Sequence, residues 1–112
     1  MSKVDITMTR AEVGAFLARC PQVVVGALDA DGWPTGTLAT SSYVDGALVV
    51  EFGAGEVLHG DVCCVADEHA SYFEIQGVIV HGRAAPVDGA PTRAVVAIER
   101  VVSFDFGRLR PS

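Results

Sequence analysis

Apolar, β-branched runs separated by Asp-Gly dipeptides constrain this chain more than any other feature. Residues 22–53 read QVVVGAL, DADG, WPTGTLATSSYV, DG and ALVVEFG. Asp-Gly favours the tight turns of β-hairpins, because glycine tolerates the positive φ that such turns require. The stretch is therefore predicted to form three antiparallel strands, over 23–28, 33–44 and 47–52, joined as a meander.

A short capped helix is predicted before the meander. Thr9 and Glu12 have the spacing of a capping box, in which each residue bonds to the other's backbone. Val13, Phe16 and Leu17 then share one face of a helix over residues 10–19, at the spacing of an amphipathic turn. We expect this helix to lie across an open end of the sheet.

Three more strands are predicted after the meander, over 61–66, 71–85 and 93–106. A turn is expected at 67–70 and a loop, VDGAPT, before the last strand. Gly77 suggests a bulge or a close backbone approach, and the last strand is expected to kink near Glu99 and Arg100. Six short strands with one helix predict an all-β barrel.

Size and charge limit the classes of protein that the sequence can encode. The chain has 112 residues, 50% of them hydrophobic, which suits a single globular domain. A net charge of -6 and a pI near 4.8 argue against nucleic acid or an anionic membrane as partner. Apolar runs are shorter than the roughly 18 residues of a membrane span, and the first residues have no signal-peptide core. A cytoplasmic protein is expected.

The three cysteines do not form a redox or zinc motif. Cys20, Cys63 and Cys64 include no CxxC pair, and zinc would need more ligands at suitable spacing. Cys63 and Cys64 are adjacent in a predicted strand, so their side chains should point to opposite faces. We expect all three to be small core residues in a reducing compartment.

Two stretches could carry a site. Thr40, Ser41, Ser42 and Tyr43 bring hydroxyls into the second strand, either as a solvated strand face or as donors that face a cleft. The segment GAGEVLHGD, residues 53–61, has three glycines that allow backbone amides to approach an anion closely, although a glycine-rich loop can also be only a loop.

The order of these stretches resembles the flavin-binding split barrels of the pyridoxamine 5'-phosphate oxidase-like family. The matching pieces are VVVGALDADGWPTGTLATSSYV, ALVVEFGAG, DVCCVADE, YFEIQGVIVHGRA and AIERVVSFDFGRL. The opening "strand, D-x-D-G-x-P, strand" and the later "I-x-G-V-x-V-x-G-R-A" are the most specific. Together these pieces cover almost the whole chain.

The resemblance implies a homodimeric, six-stranded split barrel with two cofactor sites at the subunit interface. The cofactor would be flavin mononucleotide (FMN), or a deazaflavin coenzyme in some branches. Carried over by position, the residues beside the flavin ring are Thr40, Ser41, Ser42 and Tyr43. Those near the ring and phosphate are Glu51, Phe52, Gly53, Ala54 and Gly55.

The chain departs from the family pattern where the phosphate would lie. Family members usually carry Arg or Lys just after the third strand, whereas this chain has neither between Cys20 and Gly82. Backbone amides of residues 53–55 with His59 could hold the phosphate, or Arg83, or a C-terminal Arg of the partner subunit. The remaining alternative is that the usual flavin is not bound.

The resemblance implies an oxidoreductase that acts on a small molecule through bound flavin. The reactive atom would be N5 of the cofactor, so no catalytic side chain is nominated. A non-catalytic, ligand-binding dimer is the alternative. A haem-binding relative is a further one, since His59, His69 or His81 could be an axial ligand.

Overall fold

The Asp-Gly dipeptides make turns in the structure, a computed structural model that describes residues 5–28, 31–53, 60–68 and 75–109. Gly32, Gly46 and Gly89 have φ values of 83°, 79° and 77°, and Asp45 has φ 50°. The turns at Gly32 and at Asp45–Gly46 were predicted. The third, Asp88–Gly89, makes a tight hairpin where the sequence suggested the longer loop VDGAPT, so both flanking strands extend further than expected.

The elements follow the predicted order, with small differences at their ends. They are α1 (Arg10–Arg19), β1 (Gln22–Leu28), β2 (Pro34–Val44), β3 (Ala47–Glu51), β4 (Gly60–Glu68), β5 (Gln76–Val87), β6 (Ala90–Asp105) and a final 3-10 turn (Phe106–Leu109). The expected turn at 69–70 and the start of the fifth strand at 71–74 lie outside the described residues. No helix within the described ranges is long and apolar enough to span a membrane.

The six strands close into a barrel in the order β1-β2-β3-β6-β5-β4, with every neighbouring pair antiparallel. The predicted all-β barrel is therefore confirmed. Closure depends on two pairings between strands distant in sequence, β1 with β4 and β3 with β6.

The core lies inside the barrel, where alternate residues of each strand point inward. The buried aliphatic side chains on β1, β3, β4, β5 and β6 are Val23, Val25, Leu48, Val50, Val62, Val78, Val80 and Val96. Cys64 and Cys20 are buried as expected. Cys63 instead lies partly exposed on the outer face of β4, because adjacent strand residues face opposite sides.

The helix α1 plugs one end of the barrel, as the sequence predicts. The Thr9 hydroxyl accepts from the Glu12 N–H at 3.2 Å, and the Thr9 N–H donates to Glu12 Oε1 at 2.9 Å, completing the capping box. Phe16 and Leu17 are each 1% exposed and join the core cluster.

Glycines on β5 allow it to approach β6 closely. A Cβ on Gly82 would overlap the carbonyl oxygen of Ala97, and one on Gly77 would overlap the Phe104 ring. The β5–β6 register shifts between His81 and Gly82, which leaves Glu99 as the extra residue of a bulge. The kink predicted near Glu99 is confirmed, whereas Gly77 marks a close approach to a side chain.

Candidate functional site

The hydroxyl-rich stretch of β2 is divided between two faces of the barrel wall. Thr40 and Ser42 point outward and are exposed, while Ser41 and Tyr43 point inward and are partly buried. The Ser41 hydroxyl donates to the Cys20 carbonyl oxygen at 3.2 Å, and Tyr43 packs against the core cluster. The expectation that all four side chains share one cleft is corrected, because a strand turns alternate side chains to opposite faces.

The end of β3 is divided in the same way. Glu51 is exposed on the outer face, and Phe52 is 4% exposed in the core. The Phe52 N–H donates to the Thr92 carbonyl oxygen at 2.9 Å, so its role is to fasten β3 to β6. Gly53 is exposed directly after it. Ala54, Gly55 and His59, the other predicted residues of this rim, lie outside the described residues.

Arg93 is a cation that sequence reasoning missed. The β3–β6 register pairs Glu51 with Arg93, whose Nη2 lies 3.2 Å from Glu51 Oε2. Both side chains remain about half exposed, at 46% and 48%. On the other side of Glu51, the Thr40 hydroxyl donates to its backbone carbonyl oxygen at 3.4 Å. A guanidinium therefore stands beside the end of the third strand, although it comes from the last strand.

Arg83, the cation nominated from the sequence, does not join these residues. It is exposed on β5, and its Nε lies 3.6 Å from Asp61 Oδ1. The strand order places β5 three positions from β2, about 14 Å along the barrel wall at about 4.8 Å per strand. Within one subunit, Arg93 rather than Arg83 is the cation beside the predicted rim.

An apolar strip runs across the barrel wall from the outward hydroxyl of Ser42 on β2 to β5. Ser42 pairs with Val49, Val49 with Val95, and Val95 with Ala85, so the four residues form one outer row across four strands. The parallel row is Thr40, Glu51 and Arg93. We define the candidate site as the members of these two rows that lie on β2, β3 and β6, and we name it the β2–β3–β6 face.

The side chains on this face can be compared with the three parts of a flavin: its flat ring, the polar edge of that ring and its phosphate. The aliphatic pair Val49 and Val95 provides apolar surface for a flat ring, and the hydroxyls of Thr40 and Ser42 can hydrogen-bond to its polar edge. The guanidinium of Arg93 suits an anionic phosphate, because charge-assisted, bidentate bonds are the strong ones. The face thus brings together the kinds of group that a planar ligand with a phosphate would contact, with the guanidinium paired to Glu51.

His81 is the one histidine of the haem alternative that the described residues include. It lies partly exposed on β5, with Nε2 3.4 Å from Arg100 Nη2. His59 and His69 fall outside the described ranges. A guanidinium at that distance competes for the ring nitrogen that an axial ligand needs free.

The fold is similar to that of solved structures described as FAD-binding proteins and as a candidate pyridoxamine 5'-phosphate oxidase. A conserved hypothetical protein of Mycobacterium tuberculosis superposes with a TM-score of 0.82 and 18% identity, over 100% of this chain and 94% of the other. An FAD binding protein of Mycobacterium smegmatis superposes with a TM-score of 0.71 and 17% identity, over 86% of this chain and 93% of the other. A candidate pyridoxamine 5'-phosphate oxidase of Corynebacterium glutamicum superposes with a TM-score of 0.72 and 17% identity, over 94% of this chain and 97% of the other.

These likenesses extend along nearly the whole chain and confirm the expected fold. No protein-family model matches the sequence, and no curated protein matches it. The sequence identities are all below a quarter, so the fold is what they establish.

Proposed function

We propose that this protein binds FMN on the β2–β3–β6 face and is a flavin-dependent oxidoreductase of the pyridoxamine 5'-phosphate oxidase-like family, acting on a small molecule. The observation that carries the proposal is the row Thr40, Glu51 and Arg93 beside an apolar strip. Neighbours of the same fold described as FAD-binding support a flavin as the ligand. A single guanidinium suits the terminal phosphate of FMN.

The residues of the face would hold and orient the flavin. Val49 and Val95 would pack against the ring, Thr40 and Ser42 would hydrogen-bond to its polar edge, and Arg93 would bind the phosphate. When bound, a flavin supplies hydride transfer at its N5 atom. The protein's contribution is orientation and electrostatics, so no side chain is assigned a proton-transfer role.

Titration with flavins tests the proposal directly. The visible spectrum of the purified protein is recorded first. FMN, FAD, riboflavin and a deazaflavin coenzyme are then titrated separately, with ligand fluorescence as the readout. We expect saturable quenching, strongest with FMN. A colourless protein that changes the fluorescence of none of the four would overturn the proposal.

Arg93→Gln, with Arg83→Gln as matched control, tests where the phosphate binds. A hydrogen bond to a charged group contributes about 1.5–3 kcal/mol, so Arg93→Gln should weaken FMN binding about 10- to 150-fold. Riboflavin, which has no phosphate, should bind both variants equally. Weaker FMN binding by Arg83→Gln alone would place the phosphate near β5 instead.

The ion pair between Glu51 and Arg93 favours a second candidate, a non-catalytic ligand-binding protein. The Glu51 carboxylate neutralises the guanidinium at 3.2 Å, which lowers its attraction for a phosphate. Dye reduction by a reduced nicotinamide cofactor separates the candidates. Flavin-dependent reduction that Ser42→Val lowers would exclude the non-catalytic alternative, and flavin binding without any reduction would favour it.

A further inference from the structure

The second half of β6 has an edge that no strand of the described chain covers. β3 pairs only with residues 93–96, whereas β6 continues to Asp105 beside β5. A segment that precedes the helix lies along this edge instead. The Asp105 N–H donates to the Ile6 carbonyl oxygen at 2.7 Å, and the Met8 N–H donates to Ser103 Oγ at 2.9 Å. The edge is therefore held at these points by hydrogen bonds rather than sealed by a strand.

A cavity of about 460 Å³ lies between this segment, the start of α1 and β6, and we name it the β6–α1 pocket. Its apolar lining comes from Met8 before the helix, Val13 on the helix, and Val101 and Val102 on β6. Val101 and Val102 are 38% and 42% exposed. Pockets for small molecules usually have about 300–1,000 Å³ and a mostly apolar lining with a few polar groups. The β6–α1 pocket has the volume and the apolar lining of such a site.

Two polar side chains of the pocket lining can bond to a ligand. Ser103 Oγ accepts from the Met8 N–H, and its own hydroxyl proton has no acceptor within the described ranges. Arg10 is exposed at the pocket and has no hydrogen-bond or ion-pair partner in the same ranges. Every other arginine of the described chain contacts an acidic or polar side chain; these are Arg19, Arg83, Arg93, Arg100 and Arg108. An exposed arginine is ordinary by itself, but this one borders an apolar cavity.

The carboxylates nearest to Arg10 in sequence are already engaged. Asp5 Oδ1 accepts from the N–H and the hydroxyl of Thr7, at 2.9 and 2.6 Å. Glu12 is bonded to Arg108, and residues two apart on a helix do not face each other. A guanidinium presents five donors in a planar fork that matches a carboxylate. The donors of Arg10 are therefore left for an anion from outside the chain.

We propose that the β6–α1 pocket binds a small organic anion with an apolar body, namely an aliphatic carboxylic acid of medium chain length. The carboxylate would accept from the Arg10 guanidinium and the Ser103 hydroxyl, and such charge-assisted bonds are the strong ones. The aliphatic chain would pack against Val13, Val101 and Val102 and remove them from water. A neutral apolar ligand would leave Arg10 unused, and a fully polar anion would leave the valines exposed.

The β6–α1 pocket is separate from the β2–β3–β6 face. Val95 of that face and Val101 of the pocket are six residues apart on β6, about 20 Å at about 3.3 Å per residue. The two sites share no residue. The proposal therefore does not depend on flavin, and its test uses the flavin-free protein.

Amide NMR spectra of the full chain, titrated with octanoate up to about 1 mM, test the proposal. Octan-1-ol is the neutral probe with the same chain length, and acetate is the anion without an apolar body. Octanoate should shift the amide signals of Met8, Val102 and Ser103 saturably. Octan-1-ol should bind about fivefold more weakly or worse, because it lacks the charge that pairs with Arg10. Acetate should cause no saturable shift in this range.

Arg10→Gln, with Arg93→Gln as matched control, tests the charge contact. Arg10→Gln should weaken octanoate binding about fivefold or more and leave octan-1-ol binding unchanged. Arg93→Gln removes the same charge on the other site and should leave both affinities unchanged. Because Arg10 is exposed, the melting temperature of the variant should stay close to that of the wild type.

Val102→Ser, with Val24→Ser as matched control, tests the apolar contact. The two valines are similarly exposed, at 42% and 47%, and Val24 lies on β1 outside the pocket. Val102→Ser should weaken the binding of octanoate and octan-1-ol by the same factor, since it removes apolar surface that both probes contact. Val24→Ser should change neither affinity.

Four results would overturn the proposal. The first is the absence of a saturable shift with octanoate, and the second is equal affinity for octanoate and octan-1-ol. The third is a loss of octanoate binding in Arg93→Gln but not in Arg10→Gln, which would place the anion on the β2–β3–β6 face. The fourth is a shift of the Met8, Val102 and Ser103 signals with protein concentration alone, which would show that a second copy covers the pocket.

Discussion

Two adjacent serines have different roles because a strand has two faces. Ser41 donates inward to the Cys20 carbonyl oxygen and joins the second strand to the end of the helix. Ser42 lies exposed in the row with Val49 and Val95. Removing the first hydroxyl therefore affects the fold, and removing the second affects the proposed flavin site. This division allows mutations to separate stability from binding.

Glu51 is expected to oppose phosphate binding, because its carboxylate is already paired with Arg93. Glu51→Gln should raise the affinity for FMN up to about fivefold, the equivalent of the ~1 kcal/mol upper range for an exposed ion pair. Riboflavin affinity should not change. Parallel titrations of both ligands by fluorescence measure the difference, which rests on the proposed flavin site.

Glu99→Gln is the matched control for this substitution. Glu99 is also exposed, lies on β6 at the bulge and carries the same charge. If the FMN affinity of both variants rises equally, the rise comes from the overall charge of the protein, and Glu51 does not act on the phosphate in particular.

At the level of elements, the helical plug is held in place by charge as well as by Phe16 and Leu17. Glu12 accepts hydrogen bonds from Thr9 at the start of α1, and Arg108 of the final 3-10 turn also bonds to it. The bonds from Thr9 and then the Arg108 guanidinium hold the pKa of Glu12 below its usual range. The plug is therefore joined to the far end of the described chain.

This lowered pKa gives the plug a defined dependence on pH. A depressed carboxyl pKa stabilises the folded state above the unfolded-state pKa, and the contribution disappears as the pH falls through the folded-state value. The urea concentration at the unfolding midpoint should be higher for the wild type than for Glu12→Gln at about pH 7, and the two midpoints should converge towards about pH 3. Arg108→Gln should reduce the same difference. A gap that is constant across this range would contradict the prediction.

The sequence predicted the elements well where local chemistry decides them. Asp45 and Gly46 form the expected turn, and the last strand bulges at the expected Glu99. The Asp88–Gly89 turn was missed because Pro91 and its neighbours have the composition of a longer loop. Sequence alternation could separate Ser41 from Ser42, but only the closed barrel shows which of them faces outward.

Arg93 could not be assigned from local sequence at all. It lies 42 residues after Glu51, and the two meet because the third and sixth strands pair when the barrel closes. Register between distant strands is set by the packing of the whole barrel, which no single window of sequence contains. The hydroxyls of the candidate site were therefore predictable, whereas its cation was not.

At the scale of the whole molecule, the reactivity of the three thiols should measure how often the barrel opens. Burial raises the pKa of the Cys64 thiol to about 12 and also raises that of Cys20, so both remain protonated and poorly nucleophilic near neutral pH. Cys63 is partly exposed on the outer face. With a thiol-reactive chromogenic disulfide, Cys63 should react first and the other two only as the barrel opens.

Cys63→Ser identifies the fast-reacting thiol, since this variant should lack the fast phase and keep the slow one. Slow-phase rates should rise with urea in step with unfolding followed by circular dichroism. Fast modification of Cys20 or Cys64 in the folded variant would show that the barrel interior is accessible to small reagents.

The pairing of Glu51 with Arg93 also links ligand occupancy to the melting of the domain. A ligand that contacts both Thr40 and Arg93 spans the seam where the meander meets the last strand, so it can bind only to the closed barrel. Such a ligand stabilises the folded state by RT ln(1 + [L]/Kd), about 2.7 kcal/mol at a hundredfold excess over Kd. If FMN binds at the proposed site, the melting temperature in FMN, compared with that in riboflavin, measures how much the phosphate contributes to holding β3 and β6 together.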